Sequence, residues 1–136
     1  MYQLRGKLSI VMPAYNEEAL IYNSIMQTLS IVEQFAPDLE IIAVNDGSKD
    51  KTKQEIERAI RDDAKQPHPV VPGMRVSGTR IKLVTSNKNR GKGNAIISGI
   101  SQAEGDYIAF VDADLELNPA QLEGYLKKMQ ESGSDV

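Results

Sequence analysis

The sequence predicts an α/β fold: a mostly parallel sheet with helices on both of its faces. Three observations carry that expectation. Short apolar runs alternate with segments of helical period along the whole 136-residue chain. One run, "LEIIAVND" (39–46), is apolar on both faces, as a central parallel strand is. Each run also leads into a polar or glycine-containing cluster, and in such sheets ligands bind beyond the carboxyl ends of the strands.

Leu8-Ser9-Ile10-Val11-Met12 is a short apolar run ended by Pro13, hence a buried strand. From Glu17 to Phe35, the apolar residues Ile21, Ile25, Leu29 and Val32 form one stripe of a helix, which Pro37-Asp38 breaks. Residues 39–46 are the second strand. "GSKDKTKQEIERAIRDD" opens as a turn, with Ser48 as the cap of a charged helix whose thin stripe is Ile56 and Ile60. Residues 65–80 hold three prolines and two glycines with no period, so an exposed loop is expected, with the only histidine, His68, on the surface. "IKLVTS" (81–86) is the third strand. "NKNRGKGNAIISGISQA" opens as a polar glycine loop and becomes a helix with a narrow face of small residues. Tyr107-Ile108-Ala109-Phe110-Val111 is the fourth strand and reads as buried. Asn118-Pro119 is an N-cap and first-turn proline for a helix to about Ser132.

Composition removes several function classes. The chain has 16 Lys+Arg against 19 Asp+Glu, a net charge of −3, which argues against a general nucleic-acid binder. It has no cysteine, so disulfides, thiolate nucleophiles and cysteine-ligated zinc are excluded. A single surface histidine leaves no Ser-His-Asp triad and no His-rich metal site. The apolar run near the N-terminus is too short for a secretory signal, and no stretch reaches the roughly 20 apolar residues of a membrane span. A soluble, cytoplasmic chain is expected.

The residues just past each strand define the candidate site. After the first strand comes Pro13-Ala14-Tyr15-Asn16-Glu17; after the second, Asn45-Asp46-Gly47-Ser48. After the third comes Asn87-Lys88-Asn89-Arg90-Gly91-Lys92-Gly93; after the fourth, Asp112-Ala113-Asp114. All lie on one edge of the expected sheet. Asp112 and Asp114 read either as turn formers or as a carboxylate pair aimed the same way by an extended backbone. Two such charges repel, and a divalent cation removes the repulsion; Mg²⁺ and Mn²⁺ take carboxylates and phosphates. Asp46-Gly47 reads as a turn, or as a carboxylate beside a glycine where a flat ring approaches closely and offers an N–H. "NRGKG" is neither a P-loop nor Gly-x-Gly-x-x-Gly; Arg90 and Lys92 at a helix start read either as a solvated helix N-terminus or as an anion site, the latter because unopposed cations there run against the helix dipole.

Taken together, "IVMPAYNEE", "VNDGSKD", "NKNRGKGNAIISGI" and "GDYIAFVDADLELNP" resemble the successive motifs of the inverting GT-A glycosyltransferases of family 2. The spacing is closest to the polyprenyl-phosphate (dolichyl-phosphate) glucose and mannose synthases. The resemblance implies a Rossmann-like GT-A sheet, a nucleotide-sugar donor (GDP- or UDP-linked), a Mg²⁺ or Mn²⁺ ion and inversion at the sugar carbon. It places Pro13, Ala14, Tyr15 and Glu17 around the nucleotide, Asp46 on the base and Lys92 near the donor. Asp112 and Asp114 fall on ribose, metal and diphosphate.

The chain departs from the pattern in three places. Asn45 stands where a second Asp is usual, the 65–80 link is long, and "SGSDV" closes the chain with Asp135-Val136 reading as the start of another strand. Residues 1–136 are therefore expected to be the donor-binding part of a longer enzyme, incomplete at the C-terminal end of its sheet. In the family resembled, the acceptor pocket and catalytic base lie further on, past Val136. Such a part would expose apolar surface and self-associate. The whole protein would meet a polyprenyl-phosphate acceptor at a membrane surface. A non-catalytic nucleotide-sugar binding module is the alternative. A phosphatase with a nucleophilic Asp-x-Asp fits poorly, since that pair usually comes after the first strand and here comes after the fourth.

Overall fold

The computed structural model describes residues 2–69, 75–76 and 78–133. Its main sheet has four parallel strands in the order β5-β2-β1-β6: β1 Leu8–Ala14, β2 Leu39–Asp46, β5 Ile81–Ser86 and β6 Tyr107–Phe110. Between them run α1 Ile21–Val32, α2 Thr52–Ala64 and α3 Lys92–Ile100. After β6, a 3-10 turn (Pro119–Gln121) leads into α4 Leu122–Ser132. β3 His68–Pro69 and β4 Arg75–Val76 pair as a small antiparallel hairpin between α2 and β5. Among the described residues, no helix is long and apolar enough to cross a membrane.

The alternation of side chains along β1 and β2 divides the core. Leu8, Ile10 and Met12 with Ile41 and Ala43 face α1, whose stripe of Ile21, Ile25, Leu29 and Val32 is fully or almost fully buried there. Each such side chain stabilises the fold by about 1.5–3 kcal/mol. The opposite face presents Val11, Ile42 and Val44 to α3. The small-residue face expected of α3 is Ala95 and Gly99, both buried. A Cβ on Gly99 would lie 2.4 Å from a Val11 methyl, so the helix rests directly on the sheet.

Several expectations change. β1 continues through Pro13 to Ala14. Val11 turns its backbone polar groups toward β6, its carbonyl taking the Val111 N–H at 3.0 Å, and so Pro13 would turn its own the same way. The β1–β6 ladder ends at the Val11–Phe110 pair, so nothing there asks Pro13 for an N–H. α1 starts at Ile21 rather than Glu17; before it, the Glu17 N–H is taken by Thr52 Oγ1 (2.8 Å) and the Glu18 N–H by Asp50 (3.3 Å), which ties this segment to the start of α2. Ser48 does not cap α2: its hydroxyl takes the Asn16 N–H at 2.9 Å, and Asp50 Oδ1 takes that of Thr52 at 2.9 Å.

His68 is buried rather than on the surface, at 3% exposure. Its Nε2 lies 2.9 Å from the Asp63 carbonyl oxygen. The buried Asp63 carboxylate holds Arg80 by its backbone N–H (2.7 Å) and guanidinium (2.8 Å), and Arg80 reaches Glu33 at 2.8 Å. This network ties both ends of the 65–80 segment to the body, so only 65–67 and 78–79 are exposed among its described side chains.

β6 is half exposed rather than buried. Ile108 and Phe110, at 42% and 52% exposure, share the sheet face of Ser9 and Val11, but α3 packs on β1 and β2 and leaves the edge strand bare. The strand expected at Asp135-Val136 lies outside the described residues.

Candidate functional site

The carboxyl ends of the strands open into one cleft of about 510 Å³. All eight residues singled out in the sequence line it: Pro13, Ala14, Tyr15, Glu17, Asp46, Lys92, Asp112 and Asp114. Asn89, Gly91, Ala95, Ala113 and Glu116 complete the wall. Ala95 carries no signal of its own in the sequence; it is there because α3 starts at the cleft.

The loops after β1 and β2 hold each other beside the cleft. Asn16, at φ 52, donates its N–H to Ser48 Oγ and accepts from the Lys49 N–H at 2.9 Å. Lys51 N–H reaches back to Glu18 at 3.2 Å. Asn45, the departure from the expected acidic pair, uses both ends of its amide. It donates to Thr85 Oγ1 (3.0 Å) and accepts from the Ser48 N–H (3.2 Å), so it joins β5 to the turn after β2.

Asp46 is 5% exposed, and both of its oxygens face the glycine loop. Oδ1 accepts from the Arg90 N–H at 2.9 Å and Oδ2 from the Gly91 N–H at 3.0 Å. Gly47, at φ +70, lets that loop come close: a Cβ there would meet backbone atoms of Lys88 and Asn89 at 2.3–2.8 Å. Asp46-Gly47 therefore does more than turn the chain. It shapes the loop that presents α3 to the cleft.

Across the cleft, Asp112 and Asp114 sit on a turn, the first of their two readings, and not on extended backbone. Leu115 N–H returns to the Asp112 carbonyl at 3.0 Å, closing a four-residue turn, and Leu115 itself adopts φ 52. Both carboxylates still reach the same cleft. Lys92 Nζ lies 2.6 Å from Asp112 Oδ1. That bond holds the lysine above its ordinary pKa against the opposing effect of burial, with the charges of Asp112, Asp114 and Glu116 adding to it. Burial pushes the Glu17 carboxyl up, and Asp114 and Asp50 push it further. The cleft wall thus carries more acidic side chains, Glu17, Asp46, Asp112, Asp114 and Glu116, than basic ones, Lys92 alone.

Among the described residues, no three acidic or histidine side chains gather around one point. A Mg²⁺ or Mn²⁺ ion that takes one or two carboxylates and completes its shell with phosphate oxygens needs only what Asp112 and Asp114 supply. The donor set fits such an ion.

The family model for glycosyl transferase family 2 matches residues 9–136. The chain is 35% identical over 130 residues to the undecaprenyl-phosphate 4-deoxy-4-formamido-L-arabinose transferase of Enterobacter sp. (strain 638), covering 96% of this chain and 35% of that protein. To the transferase of the same name from Pseudomonas fluorescens (strain SBW25) it is 33% identical over 115 residues, covering 85% and 30%. The chain thus spans about a third of the length of these relatives. Among solved structures, S. aureus TarS in complex with UDP superposes with a TM-score of 0.68 at 25% identity, over 92% of this chain and 32% of that one. The mannosyltransferase PcManGT from Pyrobaculum calidifontis, in complex with GDP-Man and Mn²⁺, gives 0.66 at 23% identity, over 81% and 28%.

Proposed function

The chain belongs to glycosyl transferase family 2, and from that premise we propose that it is the donor-binding part of an inverting enzyme that moves a sugar from a nucleotide-sugar to a polyprenyl phosphate. The observation that carries this reading is the meeting of four strand ends in one cleft, with a carboxylate pair and Lys92 at one side and the Asp46–Gly91 contact at the other.

Each residue has its own share of the work. Pro13, Ala14 and Tyr15 form the wall against which the nucleotide lies, with Glu17 beneath it. Asp46 would accept a base N–H on a lone pair left beside those it gives to Arg90 and Gly91, whose segment it holds in place. Lys92, at the first turn of α3, faces the diphosphate with a positive charge that Asp112 keeps near. Asp112 and Asp114 would hold a Mg²⁺ or Mn²⁺ ion. Bound there, that ion supplies Lewis-acid stabilisation of the charge that grows on the diphosphate as the sugar leaves. The acceptor phosphate must attack from the face opposite the diphosphate. The names of the relatives motivate undecaprenyl phosphate as the acceptor, and such a lipid places the working protein at a membrane surface.

A screen of UDP- and GDP-sugars by thermal shift with Mn²⁺, followed by transfer of labelled sugar to undecaprenyl phosphate by the gene's full product, tests the reading. One donor should raise the melting temperature and yield a glycolipid. A chain that responds to no nucleotide-sugar is not a donor domain, and binding without transfer by the full product would favour a non-catalytic module.

A further inference from the structure

Ser24 sits on α1, outside the cleft, and is 5% exposed. Its hydroxyl donates to the carbonyl of Ala113, the residue between the two cleft aspartates, from 89 positions away in the chain. Ala113 is itself buried at 3% exposure. The turn Asp112-Ala113-Asp114-Leu115 is closed by its end groups, Leu115 N–H to Asp112 O at 3.0 Å. Such turns come in two forms that differ by a flip of the central peptide, and the flipped form needs a positive φ at the third residue. Among the described non-glycine residues, only Asn16 and Leu115 have positive φ, so Asp114 stands in the unflipped form. The carbonyl of that central peptide is the one Ser24 holds.

We propose that Ser24 is a positioning residue for the Asp112/Asp114 pair: by fixing the plane of the Ala113–Asp114 peptide, it sets the direction in which Asp114 presents its carboxylate to a divalent cation and a nucleoside diphosphate. The inference rests on the proposed metal role of the pair. The rest of the turn supports it. Leu115 packs against the core and Asp114 Oδ1 takes the Glu116 N–H at 3.1 Å, so Ser24 is the hydroxyl that fastens the buried side of the turn while both carboxylates line the cleft on the other. Without that hydroxyl, the Ala113 carbonyl loses its buried donor, and the peptide gains a reason to turn toward solvent.

The test is Mn²⁺ uptake by the chain, read from the electron paramagnetic resonance signal of the free ion, in the presence of UDP and of GDP. Wild type, Ser24→Ala, Ser24→Thr and Asp114→Asn are compared at a temperature below every melting transition. Ser24→Ala should weaken Mn²⁺ binding about tenfold, while Ser24→Thr, which keeps the hydroxyl, stays within about threefold of wild type. Ser24→Ala binding Mn²⁺ as wild type does, even with a lowered melting temperature, makes Ser24 a packing residue and overturns the inference. Equal losses in the Ala and Thr variants overturn it too. Should Ser24→Ala fail to fold, Ser24→Cys, with its weaker donor, takes its place in the same comparison. A wild-type chain that takes up no Mn²⁺ with either nucleotide, like Asp114→Asn, removes the metal reading itself, a result distinct from the loss of Ser24's role.

Discussion

Replacing Gly47 by alanine should damage the cleft more than any other glycine change in the strand-end loops. Gly47 has φ +70, a conformation that costs an L-residue about 1 kcal/mol or more. The new methyl would also lie 2.3 Å from the carbonyl carbon of Lys88 and 2.4 Å from the nitrogen of Asn89, both backbone atoms that no side-chain rotation can clear. The 88–91 loop must retreat by about 1 Å to restore ordinary contact. That movement stretches the bonds from the Arg90 and Gly91 N–H groups to Asp46, now 2.9 and 3.0 Å. Bonds to a charged group contribute about 1.5–3 kcal/mol each, so losing most of both and adding the strain amounts to about 3–5 kcal/mol. For a domain of this size, that is a fall of roughly 10–20 °C in melting temperature. Thermal denaturation followed by circular dichroism measures it. Gly124→Ala is the control: it lies within α4 with nothing within 4 Å of its Cβ position and should stabilise by about 0.5–1 kcal/mol. A Gly47→Ala chain that melts within about 2 °C of wild type would show that the loop accommodates the methyl and that the close approach is not required.

The same geometry fixes other outcomes. Asp46→Ala should weaken binding of the free nucleoside as well as the diphosphate, by about 1–3 kcal/mol in calorimetry; an unchanged nucleoside affinity would confine Asp46 to holding the loop. Glu40 is buried; burial alone would raise its pKa, but the Ser9 hydroxyl, the Glu104 N–H, Lys82 and Lys7 together hold it below its ordinary 4.5. Its folded pKa is thus below the unfolded value, so it contributes stability above about pH 4.5 that is lost as pH falls through the folded pKa. Urea denaturation of wild type should therefore show midpoints dropping over that acidic range, and Glu40→Gln, less stable at neutral pH, should show a shallower drop. The bare apolar row of Ile108 and Phe110, with Leu117 and Tyr125 also exposed, should make the chain self-associate as concentration rises. Light scattering should then report a mass that grows with concentration in wild type and less in Phe110→Ser; a concentration-independent monomer would count against it.

Much of the site was legible because a parallel sheet brings the ends of all its strands to one edge. Alternation of elements was enough to place Pro13, Asp46, Lys92 and Asp112 together, although they are scattered over a hundred positions. The features that stayed hidden depend on partners far apart in sequence. His68 among three prolines looks exposed until Asp63, at the end of α2, is seen to receive both it and Arg80. Ser24 looks like an ordinary polar residue in a helix until its hydroxyl meets Ala113. The apolar pattern of Tyr107–Phe110 resembles that of an interior strand, and strand order, which makes it an edge, leaves no mark in the residues themselves. The residues left Asp112 and Asp114 open between a turn and an extended strand, and it is a turn that brings both carboxylates to the cleft.

The most direct test of the donor-site account is calorimetric titration of the chain with UDP and with GDP, in Mn²⁺ and in EDTA. Asp112 and Asp114 converge on the cleft and have only Lys92 as a close counter-charge among the described residues, at 2.6 Å from Asp112. One nucleotide should therefore bind in Mn²⁺, lose at least tenfold in affinity in EDTA, and lose its metal dependence in Asp114→Asn. Equal affinity in Mn²⁺ and in EDTA would contradict the account, because the two carboxylates would then serve only to turn the chain.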